Sequence, residues 1–231
     1  MTDRLALLES KINYRFREQQ LLTLALSHRS TGANNNERLE FLGDSILGFV
    51  IADELYKNFP KISEGELSRL RARIVKGTSL SEVAIKLALG EYVLLGPGEK
   101  KSGGHNRDSI LADTVEAIIG AIYLDSGIES AATAILQFFS TKLKQLTLED
   151  AKKDPKTQLQ ELLQGRKLAV PDYQVLETLG AAHNQTFKVR CDVELKDSSL
   201  LNTSAVASSR RKSEQQAAKQ MLEKLFERGI K

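Results

Sequence analysis

The sequence predicts an all-α domain followed by a small α+β domain in the order α-β-β-β-α. Three observations predict it. Up to about residue 150 the apolar residues recur at helical spacing and no strand pattern is found. Beyond residue 170 they alternate, before one last helical stretch. The charge balance also changes sign: residues 1–150 carry 18 Lys+Arg against 20 Asp+Glu, and residues 151–231 carry 15 against 10. A mildly acidic first part joined to a basic second part suggests that the second meets a polyanion.

At 231 residues, 41% hydrophobic and 27% charged, the chain can bury a sizeable core in two domains. No apolar run approaches the ~20 residues of a membrane span, and the N-terminus lacks a signal-peptide pattern. No membrane partner is expected, and a cytoplasmic location is. One cysteine, Cys191, excludes an internal disulfide, and three histidines show no zinc-ligand spacing.

Residues 3–10 and 18–27 read as short helices carrying Leu5, Leu8, Leu22 and Leu26. A long helix follows from Glu37 to about Lys57, capped by Asn36 and stopped before Pro60. Ser63 and Glu66 fit a capping box for the next helix, with Glu64 in its first turn. Ser79 and Glu82 repeat that pattern for a helix ending near Gly90, and Gly96–Gly104 reads as a loop without nucleotide-binding spacing. Helices are then expected over Ser109–Leu124 and Ser130–Leu146. The domains expected are residues 1–147, a linker at 148–154, and residues 155–228.

In the second part, Asp154 caps a helix with Pro155 at its first position. Strands follow around Tyr173–Val175, Phe187–Val193 and Leu200–Val206, with Cys191 on the inward register. The last helix opens with Arg210, Arg211 and Lys212, cations that oppose the helix dipole and that a phosphate would relieve.

Two stretches point to chemistry. On the Glu37–Lys57 helix, Glu37, Glu40 and Asp44 fall within about 60° of one another at 100° per residue. An ordinary solvated face is the competing reading of that stripe alone. On the Ser109–Leu124 helix, Asp113 and Glu116 share a face of a helix that is apolar almost all round. Carboxylates held in a buried setting need protons or a cation, and two such helices suggest a shared Mg2+ site.

The stretch Asn36–Leu47 resembles the signature of ribonuclease III, a double-stranded-RNA endonuclease. Asp113–Ala117 resembles that family's second acidic motif, and the similarity runs over about residues 5–226. The resemblance implies that the all-α part is the endonuclease domain and the α+β part a double-stranded-RNA-binding domain. It implies that Glu40, Asp44, Asp113 and Glu116 form a Mg2+ cluster, which Mn2+ can also fill, with Asp44 and Glu116 catalytic. Glu37 and Glu64 match auxiliary acidic positions. It implies a homodimer that hydrolyses duplex RNA to 5′-phosphate and 3′-hydroxyl ends with short 3′ overhangs, in processing of ribosomal RNA precursors and structured messengers. A twofold dimer also suits two equivalent cuts in antiparallel strands. Phe41, beside the acidic face, is a candidate dimer contact, with a place in the protomer's own core as its alternative. In the second domain, Gln158 and Glu161 would reach one minor groove, the Gly180–His183 loop the next through His183, and Arg210 and Arg211 the phosphates between.

Two departures from the family bear on affinity. Ala205-Val206-Ala207 stands where Gly-x-Gly is usual, and Glu214 stands where the wider class of such domains often has lysine. A non-cleaving duplex-RNA binder is the rival hypothesis; such a protein should have lost acidic positions, and all four are present.

Overall fold

The computed structural model describes residues 2–181 and 184–230. The chain divides into two compact units, Met1–Ala151 and Lys152–Lys231.

The first unit contains helices α1 (Thr2–Ile12), α2 (Gln19–Ala25), α3 (Glu37–Asn58), α4 (Glu64–Val75), α5 (Gly77–Lys86), α6 (Pro97–Lys101) and α7 (Asp108–Gln145). Among its described residues there is no strand, as the helical spacing predicts. The core is built on the pairing of α3 with α7. Leu39, Leu47, Val50, Ile51 and Leu55 of α3 are buried with Leu111, Val115, Ile118, Ile119 and Ile122 of α7. Their removal from water is the main stabilising term of this unit.

Helix α7 is long and apolar enough to cross a membrane by length and composition alone. Its buried residues belong instead to this core, and Gly127 (φ 83°, ψ −175°) breaks its helical backbone. The two helices expected over 109–146 are therefore the two arms of one bent element. Only glycine adopts that backbone without a Cβ penalty.

Several local expectations are corrected. Asn36 does not cap α3: its Nδ2 donates to the carbonyl of Ala25 at 3.3 Å, and Asn35 Oδ1 accepts from Glu37 N at 3.0 Å instead. The capping box at Ser63 is complete, with Ser63 and Glu66 bonded reciprocally. The same pattern at Ser79 is not a cap, because α5 has already begun at Gly77. Ser79 is buried and donates to the carbonyl of Arg73, and Glu82 binds Lys142 of α7. Within Gly96–Gly104, expected as loop, Pro97–Lys101 forms the short helix α6, started by Pro97, whose fixed φ suits a first helical turn. Four residues read as linker, Leu148–Ala151, form a 3₁₀ turn on the first unit. There Asp150 pairs with Arg73 at 3.0 Å, and the carbonyl of the buried Ala151 accepts from Arg69 Nε at 2.6 Å.

The second unit runs α8 (Pro155–Gly165), β1 (Asp172–Leu179), β2 (Thr186–Glu194), β3 (Leu200–Ala207) and α9 (Arg210–Glu227). The sheet is antiparallel in the order β1-β2-β3. Period-2 alternation turns Cys191 and Val193 toward Leu159 and Leu163 of α8 and Ala217, Met221 and Leu225 of α9. Asp154 caps α8, accepting from Thr157 N at 3.2 Å. Ala205 and Ala207 lie within β3, opposite Val189 and Phe187, and neither has positive φ. Alanine would be strained there only at positive φ, and the extended strand does not require it.

Candidate metal centre and nucleic-acid interface

The site begins with two glycines. A Cβ at Gly43 would lie 1.8 Å from the carbonyl oxygen of Glu116, and one at Gly120 would lie 2.3 Å from that of Leu39. Helices α3 and α7 thus cross backbone to backbone, closer than any side chain permits. The crossing sets Glu40, one turn before Gly43, against Asp113 and Glu116, the turns before Gly120. Sequence reasoning missed both glycines. The available signal was a glycine inside an otherwise strong helix, which costs about 1 kcal/mol relative to alanine unless close packing needs it.

Glu40, Asp113 and Glu116 are half-buried, and a carboxylate oxygen from each lies within 4.8 Å of the others. Asp44 stands one turn further along α3, exposed, and its charge acts on both Glu116 and Glu40. Burial, followed by the charges of Asp44, Asp113 and Glu40, pushes the Glu116 carboxyl up to about 8. Burial also raises Glu40, with Asp113 and Glu37 adding to it, and burial raises Asp113. Carboxylates gathered in this way are short of positive charge. The donor set is oxygen only, with no thiol or imidazole ligand, which fits a hard divalent cation such as Mg2+ or Mn2+.

Glu37 is exposed at the edge of the cluster, 3.8 Å from Arg29 Nη1. Arg29, which sequence reasoning passed over, is a cation acting on Glu40 and Asp113, and His28 also acts on Asp113. Glu64 lies in the first turn of α4 and accepts from Ser68 Oγ at 2.8 Å; it is not part of the converging set. Phe41 is 77% exposed, so it fills no part of its own protomer's core.

In the second unit, Gln158 donates to the carbonyl of Lys153, and Glu161 accepts from Lys153 Nζ at 2.6 Å. Arg211 is exposed at the start of α9, while Arg210 Nε donates to Glu214 Oε1 at 2.8 Å. Ser209 caps α9, accepting from Lys212 N at 3.2 Å. His183 lies outside the described residues.

An acidic, cation-seeking site on two crossed helices, followed by an α-β-β-β-α unit with a basic helix start, defines a nuclease carrying a nucleic-acid-binding domain. Residues 18–143 match the family model described as ribonuclease-III-like, and residues 155–225 match the double-stranded RNA binding motif. A "Ribonuclease 3" of Hahella chejuensis is 55% identical over 96% of this chain and 97% of its own length. One of Vibrio cholerae is 53% identical over 97% and 99%. The solved nuclease domain of ribonuclease III from Campylobacter jejuni is 43% identical, covers 58% of this chain and 95% of its own, and superposes with a TM-score of 0.58. The chain belongs to the ribonuclease III family, the endoribonucleases specific for double-stranded RNA.

Proposed function

We propose that this protein is a Mg2+-dependent homodimeric endoribonuclease of the cytoplasm. It hydrolyses phosphodiester bonds of duplex RNA, leaving 5′-phosphate and 3′-hydroxyl ends with short 3′ overhangs, and processes ribosomal RNA precursors and structured messengers. The observation that carries the reading is the convergence of Glu40, Asp113 and Glu116, with Asp44 beside them, at a helix crossing built for close approach. When bound, a divalent cation at these carboxylates supplies positive charge to the scissile phosphate and acidifies an attacking water. Glu40 and Asp113 would hold the cation from opposite helices, with Asp44 and Glu116 beside them. Asp44 and Glu116 fix the reacting groups, and Glu116 must give up its proton before it can act as an anionic ligand. Glu37 contributes negative charge at the rim, and Glu64 keeps an auxiliary role on the resemblance alone.

The second unit holds the substrate by A-form shape, with Gln158, Glu161 and His183 contacting minor grooves and Arg210 and Arg211 on phosphate. The dimer reading is supported by the exposed Phe41 and by the Campylobacter jejuni nuclease domain, whose structure is described as having a region involved in dimer formation. The deciding experiment incubates long duplex RNA with the protein in Mg2+ or in EDTA. Cleavage in Mg2+ alone is expected, and RNA intact under both conditions refutes the reading. Glu116→Ala should abolish cleavage while retaining duplex binding.

A further inference from the structure

Glu214 was expected to weaken the basic start of α9, since a negative charge among arginines repels phosphate. The structure gives it a different setting. Its side chain is 11% exposed and accepts from two cations at once: Lys156 Nζ at 2.6 Å and Arg210 Nε at 2.8 Å. Lys156 also lies over the Tyr173 ring, 4.3 Å from its centroid, and is itself only 33% exposed. Burial alone would raise the Glu214 carboxyl, but the hydrogen bonds from Lys156 and Arg210 outweigh it and hold the group below the usual range. Of these three residues, the half-buried Lys156 and the buried Glu214 cancel in charge. The surplus positive charge sits on Arg210, which is 63% exposed. A guanidinium bonded through Nε keeps both Nη groups for another partner, in the fork that matches phosphate oxygens.

The next residue extends the arrangement. Gln215 Nε2 donates to Asp154 Oδ1 at 2.7 Å, and Gln215 Oε1 accepts from Lys156 N at 3.1 Å. Together Glu214 and Gln215, in the second turn of α9, fasten that helix to the cap and first turn of α8, so the two RNA-facing helix starts keep a fixed spacing.

We propose that Glu214 is a positioning residue for duplex RNA. It aims the Arg210 guanidinium outward at a phosphate and uses Lys156 to neutralise its own charge. The proposal rests on the reading that the start of α9 meets phosphate. It makes a prediction opposite in sign to simple charge counting, by which removing a negative charge should tighten RNA binding.

The test measures binding of the full-length protein to a duplex RNA in EDTA across a salt series, for Glu214→Gln, Arg210→Ala and the double variant. Glutamine keeps the volume but turns an NH2 group toward one of the two cations. E214Q should weaken binding about 3- to 10-fold and lower the log–log salt slope by up to ~1, the signature of one lost phosphate contact. In the R210A background it should have no further effect. Unchanged or tighter binding by E214Q overturns the proposal. So does an equal loss in both backgrounds, which would mark Glu214 as a fold-stabilising residue only. R210A alone reports on the underlying reading: if it leaves affinity and slope unchanged, α9 does not meet phosphate there and both ideas fall.

Discussion

Glu116 shows how far single residues were legible. Its spacing from Asp113 in an apolar helix was enough to mark a buried acidic pair, because helical geometry puts i and i+3 on one face. The sequence could not reveal how the four carboxylates divide in space, since this depends on where α3 and α7 cross. Three converge, and Asp44 borders them. Capping at Asn36 was misread for a similar reason: two adjacent asparagines compete, and a distant carbonyl, that of Ala25, takes one of them. The raised Glu116 carboxyl has a measurable consequence. Its folded pKa of about 8 lies above the ordinary value of 4.5. Below pH 4.5 both folded and unfolded chains hold the proton, and the stabilisation is fully present. Between 4.5 and about 8 the unfolded chain releases its proton first, so stability is lost as pH rises. Melting curves in EDTA should therefore show the protein losing stability from pH 5 to 8.5, and Glu116→Gln should flatten that slope. At pH 8.5 the variant should melt higher, by about 2–4 °C for each ~1 kcal/mol of relieved repulsion. Parallel slopes for the two proteins would contradict the assignment.

Among the elements, the long periodic helices were the most legible, because burial of one face imposes its period on the sequence. Short or irregular ones were least so. Ser79 and Glu82 carry a capping pattern, yet tertiary contacts to Arg73 and Lys142 use both side chains, and α5 begins two residues earlier. The 148–151 stretch looks like linker by composition but is anchored by its backbone carbonyl and one carboxylate, which composition does not encode. The α3–α7 crossing is the element on which the site depends. At Gly43 and Gly120 the obstacle to a Cβ is backbone carbonyl, which cannot swing aside as a flexible side chain would. Gly43→Ala or Gly120→Ala must push the helices apart. We expect each to cost about 3 kcal/mol, the upper end of overpacking penalties. Cleavage should fall about 100-fold, as for a misplacement of ~1 Å at a reacting centre. Duplex binding by the separate second unit should be little changed. Full cleavage by either variant would show that the close crossing is not what sets the carboxylate geometry.

At the scale of the whole molecule, the change in charge and periodicity near residue 150 was enough to show two units of different class, because each must bury its own core. The sequence left open whether Phe41 belongs to that core or to a partner, and the fold removes the first option. On α3, Phe41, Phe49 and Tyr56 are 77%, 62% and 71% exposed. At 100° per residue they lie within about 80° of one another, so they form one aromatic stripe next to the acidic face. A second copy of the chain, related by a twofold axis, would bury that stripe and bring two sites to the antiparallel strands of one duplex. An aromatic at the centre of such an interface contributes about 2–4 kcal/mol. Loss of that amount raises a dissociation constant about 30- to 1000-fold. Phe41→Glu should accordingly shift the protein from dimer to monomer in sedimentation velocity at micromolar concentration, with an unchanged far-ultraviolet circular dichroism spectrum. Double-strand cleavage should be lost with it, while metal-free duplex binding persists through the second unit. A variant that stays dimeric, or a wild-type protein that sediments as a monomer at every concentration, would place the stripe outside any self-association surface.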